Sequence, residues 1–359
     1  MLKTQLVPIF LLYCCLTLGC PLWAHVGLVG HAPITNGSFS CPWISSPIKF
    51  WDALDRALQK RGEQLVRGHL LTPYDIKLFA EKRVDIVFFN DINHWNRQKN
   101  ALNIASQLPG KKILICWEPR TVIPAQYTKK CRQEFDAIFT WNPQEVDNKK
   151  IFQIHYPVLV PMKRAYKPFS QRRLLTQISA NKHSPDAQEL YSLRKSCIHY
   201  FDTHPEKDFS FYGRRWNPEE HTTYGGEVQN KIETLEQFRF ALCFENAHCF
   251  PGYITEKIFD CFAAGCVPIY YGAPDIDSYI PRNCYIPWKN FSSIQDLYTH
   301  LENISEEQYQ KYIDNIRTFL TSKKATIFSN TGVINKILRA IDKIRADSTP
   351  HKKRKKRTF

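Results

Sequence analysis

Phe240-Ala241-Leu242-Cys243-Phe244-Glu245-Asn246 is an apolar run that ends on two polar residues. A turn with Pro251-Gly252 follows, then Thr255-Glu256-Lys257-Ile258-Phe259-Asp260-Cys261-Phe262-Ala263-Ala264-Gly265, then Val267-Pro268-Ile269-Tyr270-Tyr271. The first and last runs are short and apolar on both alternating faces, as buried strands are. The segment between them predicts a helix over 255–264, stopped by Gly265. Strand, helix and strand in this order form a β-α-β unit, and the rest of the chain repeats the pattern.

Toward the N-terminus, residues 47–61 carry Ile48, Trp51, Leu54 and Leu58 at helical spacing, with Arg61-Gly62 as a stop. Residues 84–89, 111–117, 137–141 and 151–154 read as strands, and 100–108 as a helix. A basic, proline-spaced stretch over 156–168 suits a linker better than an element interior. Beyond it the alternation restarts: a strand over 173–180, a helix over 186–201 opened by Ser184-Pro185, and a strand over 209–212 that ends at Gly213. Amphipathic helices are expected near 293–301 and 306–320. Short apolar strands alternating with helices imply parallel sheets covered by helices. The expected fold class is therefore α/β, with two Rossmann-like doubly wound domains facing across a cleft. The cleft is the natural ligand site, because such sheets bind at the carboxyl ends of their strands. The expected boundaries are a leader over 1–24, a first domain over 25–165, a second over 170–325, and a helix with a basic tail over 326–359.

At 359 residues, 43% hydrophobic and 23% charged, the chain is a folded protein rather than a disordered one. Its net charge of +15 speaks of anionic partners: nucleic acid, a membrane face or a diphosphate. Part of that charge is one block, His351-Lys352-Lys353-Arg354-Lys355-Lys356-Arg357, which reads either as a solvated tail or as a segment drawn to anionic lipid. Lys3, the apolar run 6–18 and the small residues Gly19, Cys20 and Ala24 suggest a targeting segment, cleaved or retained as an anchor, and hence a membrane-associated, envelope or secretory-pathway location. The twelve cysteines contain no C-x-x-C pair, which argues against zinc, and Asp275-Ile276-Asp277, though spaced like a D-x-D metal motif, lies past the Gly272-Ala273-Pro274 turn and reads better as a helix start. Cys116, Cys243, Cys261 and Cys266 lie in apolar runs, as small hydrophobes do.

Chemistry concentrates where strand 240–244 hands over to the helix at Thr255. A helix start offers free N–H groups and the positive end of a dipole to an anion. Lys257 lies in that first turn, where a cation works against helix stability, and such a local conflict is the mark of a functional position. Beside Glu256 it could neutralise a diphosphate while the carboxylate accepts a sugar hydroxyl. A plain surface Glu-Lys pair is the alternative that the residues leave open.

The order Phe244-Glu245-Asn246, turn, Tyr253-Ile254-Thr255-Glu256-Lys257, then Ala264-Gly265-Cys266-Val267-Pro268-Ile269-Tyr270-Tyr271-Gly272-Ala273-Pro274 resembles the donor-binding motif of the α1,3/α1,4-fucosyltransferases of glycosyltransferase family 10. That resemblance implies two facing Rossmann-like domains (the GT-B fold), GDP-β-L-fucose as donor, inversion at the anomeric carbon, and no cofactor or essential metal. It makes Asn246, Tyr253, Glu256 and Lys257 donor contacts, with Lys257 on the phosphates. Trp117-Glu118-Pro119-Arg120, at the end of strand 111–117, is similar to the family's first-domain segment that supplies the catalytic carboxylate, so Glu118 becomes the candidate base. A base must lie about 2.6–3.2 Å from the proton it takes, and burial beside an indole and a proline would raise its pKa. The family also places an arginine on the diphosphate from the second domain's first helix. The aligned position here is Glu189, so Arg194 or Arg214, next to Arg215, is the candidate substitute, an arginine fork being suited to phosphate.

The implied partners are GDP-fucose and an oligosaccharide acceptor, with fucose going to the 3- or 4-hydroxyl of an N-acetylglucosamine or glucose in a lactosamine-type unit. A transferase of the same architecture with another nucleotide sugar is the nearest rival. A basic nucleic-acid binder would account for the charge, but no nucleic-acid motif is present.

Overall fold

The computed structural model describes residues 25–29, 47–67, 73–92, 106–162 and 165–348. The leader, most of the helix expected over 100–108 and the basic block lie outside the described residues. In the first domain, β1 (His25–Val29), α1 (Pro47–Gln59), β2 (Leu65–Arg67), α2 (Pro73–Glu81), β3 (Val84–Asn90), β4 (Lys111–Cys116), α3 (Lys129–Gln133), β5 (Ala137–Thr140) and β6 (Ile151–Gln153) build a sheet of order β2-β1-β3-β4-β5-β6. Every pairing in it is parallel. The second domain contains β7 (Arg173–Ile178), α4 (Tyr191–Asp202), β8 (Phe209–Tyr212), α5 (Lys231–Leu235), β9 (Phe238–Phe244), α6 (Glu256–Ala263), β10 (Val267–Tyr271), β11 (Ile286–Pro287), α7 (Ile294–Glu302) and α8 (Glu306–Leu320). Its sheet runs β11-β10-β9-β7-β8, also all parallel. Both sheets turn back on their first strand, so each has a switch point at which strand carboxyl ends diverge and leave a crevice.

The reasons are local. Both β9 and β3 are buried at nearly every position, which only a doubly covered sheet allows. Thr255 caps α6, its hydroxyl accepting from the Lys257 amide, and Gly265 closes the same helix in the left-handed region at φ +61°. The expected strands and the helices over 255–264, 293–301 and 306–320 are present within a few residues.

Three expectations change. The helix expected over 186–201 opens only at Tyr191. Residues 186–190 form a turn beside the β9–α6 turn, closed by the Glu189 amide on the Asp186 carbonyl, with a Glu189–Ala247 bridge and the Leu190 amide bonded to the Asn246 carbonyl. Pro185 tells only where a helix can start; contact with a segment more than fifty residues away in sequence decides where it does. Asp275, expected to open a helix, instead precedes a single 3-10 turn (Ile276–Ser278), and its Oδ1 accepts from the Gly252 amide at 2.8 Å. The stretch 156–168 has no helix or strand among its described residues but is not a free linker: Val158 and Val160 are buried in the second core, and the Val158 and Leu159 amides bond to the Phe328 carbonyl.

The last helix, α9 (Asn330–Ser348), returns to the first domain. Val333, Ile334, Ile337 and Ile341 close a core with Val26, Phe50, Trp51 and Leu54, and Arg345 pairs with Asp85 at 2.6 Å. The chain thus crosses between the domains twice, at 156–168 and ahead of α9. Among the described residues no helix is long and apolar enough to cross a membrane, and the eight described cysteines are all free thiols. Because Ile337 is fully buried in that composite core, Ile337→Ala should cost about 2–5 kcal/mol of stability, read as a lowered urea midpoint with tryptophan fluorescence reporting on the first domain.

Candidate functional site

The two sheets present their carboxyl ends to a cavity of about 270 Å³ between the domains. Glu118 reaches it from the end of β4, and Asn246, Tyr253, Glu256 and Lys257 from the turn and helix after β9. All five were singled out in sequence, and the structure brings them together. Asn246 Nδ2 lies 3.2 Å from Glu118 Oε2, and the Tyr253 hydroxyl lies 3.2 Å from Asn246 and 3.4 Å from the same carboxylate oxygen. The candidate base and the donor motif therefore meet across the domain boundary.

Three side chains fix the backbone of Glu118. Asp91, at the end of β3, accepts from the amides of Trp117 (2.9 Å) and Glu118 (3.3 Å). The Gln126 amide and the Tyr127 hydroxyl each donate to the Glu118 carbonyl at 2.8 Å. Trp141 Nε1 and the Tyr156 hydroxyl hold the Trp117 carbonyl. None of these supports was marked in sequence, since each is remote in the chain and of ordinary composition. Burial raises the Glu118 pKa above its ordinary value, against the lowering pull of Lys257. Burial, and then the charge of Glu118, push Asp91 up to about 7.

Lys257 is held from below. Its ammonium lies 2.9 Å from Glu245 Oε2 and 2.9 Å from the Thr255 hydroxyl, with Glu256 at 3.5 Å. Glu245 has no exposed side-chain surface, and its carboxylate also accepts from the Thr255 amide (2.9 Å) and hydroxyl (2.7 Å). Burial alone would lower the Lys257 pKa, yet Glu245 and Glu256 outweigh it and keep the ammonium charged. For Glu256 burial acts upward, but Lys257 and Lys231 bring it down to about 2. Glu245 is the functional residue that sequence reading passed over. Its signal was present: a carboxylate at the end of an otherwise apolar strand must find a buried cation.

The arginines are placed differently from one another. Arg194 is buried beneath the cavity, and its Nη2 donates to the carbonyls of Phe244 (2.5 Å) and Glu245 (2.6 Å). It shapes the turn that carries Asn246. Arg214 stands at the rim with its side chain 67% exposed, 3.7 Å from Glu227. Glu189 caps α4, its carboxylate accepting from the amides of Tyr191 and Ser192, so the first turn of that helix is closed by an anion of the protein's own. Gly252 is required where it is: at φ +77° an added Cβ would lie 2.3 Å from the Trp141 carbonyl oxygen of the facing domain.

Comparison with known proteins agrees with this geometry. Residues 186–356 match the family described as glycosyltransferase family 10 (fucosyltransferase), C-terminal part. An α-(1,3)-fucosyltransferase of Helicobacter pylori is 34% identical over 101 residues, 26% of this chain and 21% of that protein. A GDP-fucose protein O-fucosyltransferase 3 of Xenopus tropicalis is 36% identical over 83 residues, 22% of this chain and 17% of that one. The alignments thus span about a fifth of the length of these relatives. Among solved structures, an α1,3-fucosyltransferase with GDP-fucose superposes with a TM-score of 0.55 at 17% identity, over 91% of each chain. A glycosyltransferase from Rickettsia africae ESF-5 superposes at 0.57 with 9% identity, over 91% of this chain and 100% of that one. At such identities these likenesses establish the fold, two parallel-sheet domains in the GT-B arrangement.

Removing the buried partner of Lys257 leaves a charge without its counter-ion. Glu245→Ala should therefore lower folding stability by about 3–5 kcal/mol. Glu256→Ala, at a partly exposed carboxylate, should cost less than about 1 kcal/mol. Chemical denaturation of the two variants separates the roles.

Proposed function

We propose, for a chain whose residues 186–356 are a glycosyltransferase family 10 (fucosyltransferase) domain, that the cavity between its domains transfers L-fucose from GDP-β-L-fucose to a hydroxyl of an acceptor glycan. The observation that carries this reading is the convergence of Glu118 with Asn246 and Tyr253 beside an ammonium locked by Glu245. A base, a fixed cation and a cavity between two domains are what a single displacement at an activated sugar requires.

In the proposed reaction Glu118 takes the proton of the acceptor hydroxyl. The acceptor oxygen forms its bond to the anomeric carbon as the bond from that carbon to the β-phosphate oxygen breaks. GDP leaves with the electron pair, and the β-linked donor yields an α-linked product. Lys257 stabilises the charge that grows on the departing diphosphate, and because Glu245 and Thr255 already orient its ammonium, little reorganisation is needed as the charge develops. Glu256, ionised at any ordinary pH, accepts hydroxyls of the donor. Asn246 and Tyr253 donate toward Glu118, holding its carboxylate in the cleft. We place the acceptor hydroxyl at the 3- or 4-position of an N-acetylglucosamine or glucose unit, and we propose that no metal is needed, the leaving group being held by cations of the protein. A protein hydroxyl is the second reading, favoured by the 36% identity to a protein O-fucosyltransferase.

The test is GDP release from GDP-fucose with N-acetyllactosamine and, in parallel, with folded acceptor proteins. Turnover with the disaccharide, little changed by a chelator, is expected; Glu118→Gln should lower kcat about 100-fold or more, and full activity in that variant would sink the assignment. Lys257→Ala should weaken GDP binding about 100-fold, as loss of a charge-assisted contact does. The pH dependence has a definite sign. A base acts in its ionised form, and burial holds the Glu118 pKa above its ordinary 4.5. The acid limb of kcat/KM should therefore fall away at a pH above that value and disappear in Glu118→Gln.

A further inference from the structure

A diphosphate brings more negative charge than one lysine offsets, yet the helix position at which the family's second cation is expected holds Glu189. That carboxylate is already spent on the first turn of α4. The replacement must come from the cationic groups that line the cavity, and most of them are occupied. Lys231 is buried and paired with Asp260 at 2.7 Å. Arg194 directs Nη2 at the carbonyls of Phe244 and Glu245. Arg214 is mostly in solvent, beside Glu227.

Lys182 differs from all of these. It lines the same cavity, three residues beyond the Ser179 that follows β7, at the switch point where β7 and β9 diverge. Its loop is fixed rather than loose: the Ser179 amide bonds to the Tyr212 carbonyl (2.9 Å) and the Asn181 amide to the Arg214 carbonyl (3.0 Å). Among the described residues the Lys182 ammonium makes no hydrogen bond or ion pair. The charges that act on it are those of Glu118, which is opposite in sign, and of Lys257, Arg194 and Arg215, which are like it. Burial lowers its pKa and these like charges add to that, while Glu118 opposes them. A polyanion in that space relieves the repulsion.

We propose that Lys182 is the second cation on the donor diphosphate, acting beside Lys257 in place of a helix arginine; the inference rests on the GDP-sugar reading above. It makes phosphate recognition in this protein a task of two lysines from two different strand ends, one locked by Glu245 and the other held ready by its loop.

Calorimetry on the full chain with GDP and with guanosine tests it. Lys182→Met should weaken GDP about 10- to 100-fold and leave guanosine affinity unchanged. Lys182→Arg should restore GDP to within about threefold, since a guanidinium carries the same charge and reaches the same oxygens. Parent-like GDP binding by Lys182→Met would overturn the proposal, as would equal losses for GDP and guanosine. So would a variant in which only the acid limb of the pH profile moves, because Lys182 would then act through Glu118 alone. If the parent protein itself fails to bind GDP, the failure belongs to the GDP-sugar reading, and this inference goes with it.

Discussion

The buried pair of Glu245 and Lys257 is the constraint from which the rest of the site follows. A carboxylate with no solvent contact is tolerable only against a cation and donors, and the β9–α6 turn is shaped to supply them. To reach Glu245, Lys257 must sit in the first turn of α6, where the helix dipole disfavours it. Thr255 must both cap that helix and donate to the carboxylate. With those two residues fixed, Tyr253 and Asn246 have one direction left, toward the facing domain and Glu118. Such a pair adds little net stability for its desolvation cost. Its effect is positional, since it presents a permanent positive charge at one place on the cavity wall.

The opposite wall is built on the same logic with neutral parts. Glu118 is aimed by bonds to its backbone, from Asp91, Gln126 and Tyr127, while its carboxylate meets Asn246 and Tyr253 of the facing domain. Asp91 sits close enough for each carboxylate to raise the cost of ionising the other, and with a pKa pushed up to about 7 it is partly protonated near neutrality. The two walls are held in register by structure outside the cavity. Arg120 faces Asp186 at 3.4 Å, the Ser184 hydroxyl bonds to the Thr121 carbonyl, and α9 seals the first domain's core after the chain has completed the second. The first domain is therefore made from two separate pieces of chain, and the second from the single piece between them.

Much of the architecture was legible beforehand, because it depends on short-range pattern. The strands at 84–90, 111–116, 209–212 and 238–244 are predominantly apolar, and short apolar runs between turns suit buried strands. The helix at 256–263 declares itself by its threonine and glycine ends. The resemblance carried by Tyr253 to Lys257 pointed to a donor site, and the structure places that segment on the cavity wall. Misreadings fell where a local signal met a distant contact. Residues 186–190 carry helix-opening composition yet pair with 246–248, and Asp275 looks like a cap yet serves Gly252.

By itself, the sequence determined the period of each element, the polar residues that follow strand ends, and the resemblance carried by residues 244–274, for these are properties of neighbouring residues. Only the tertiary structure decided that Glu118 and Asn246, 128 positions apart, share one hydrogen bond. It alone showed that Glu245 rather than Glu256 is the closer partner of Lys257, that Arg194 is taken up by carbonyls, and that Lys182 lines the same cavity with no hydrogen bond or ion pair among the described residues. The physical reason is that burial and charge pairing depend on which surfaces meet, and no stretch of chain specifies what will be packed against it.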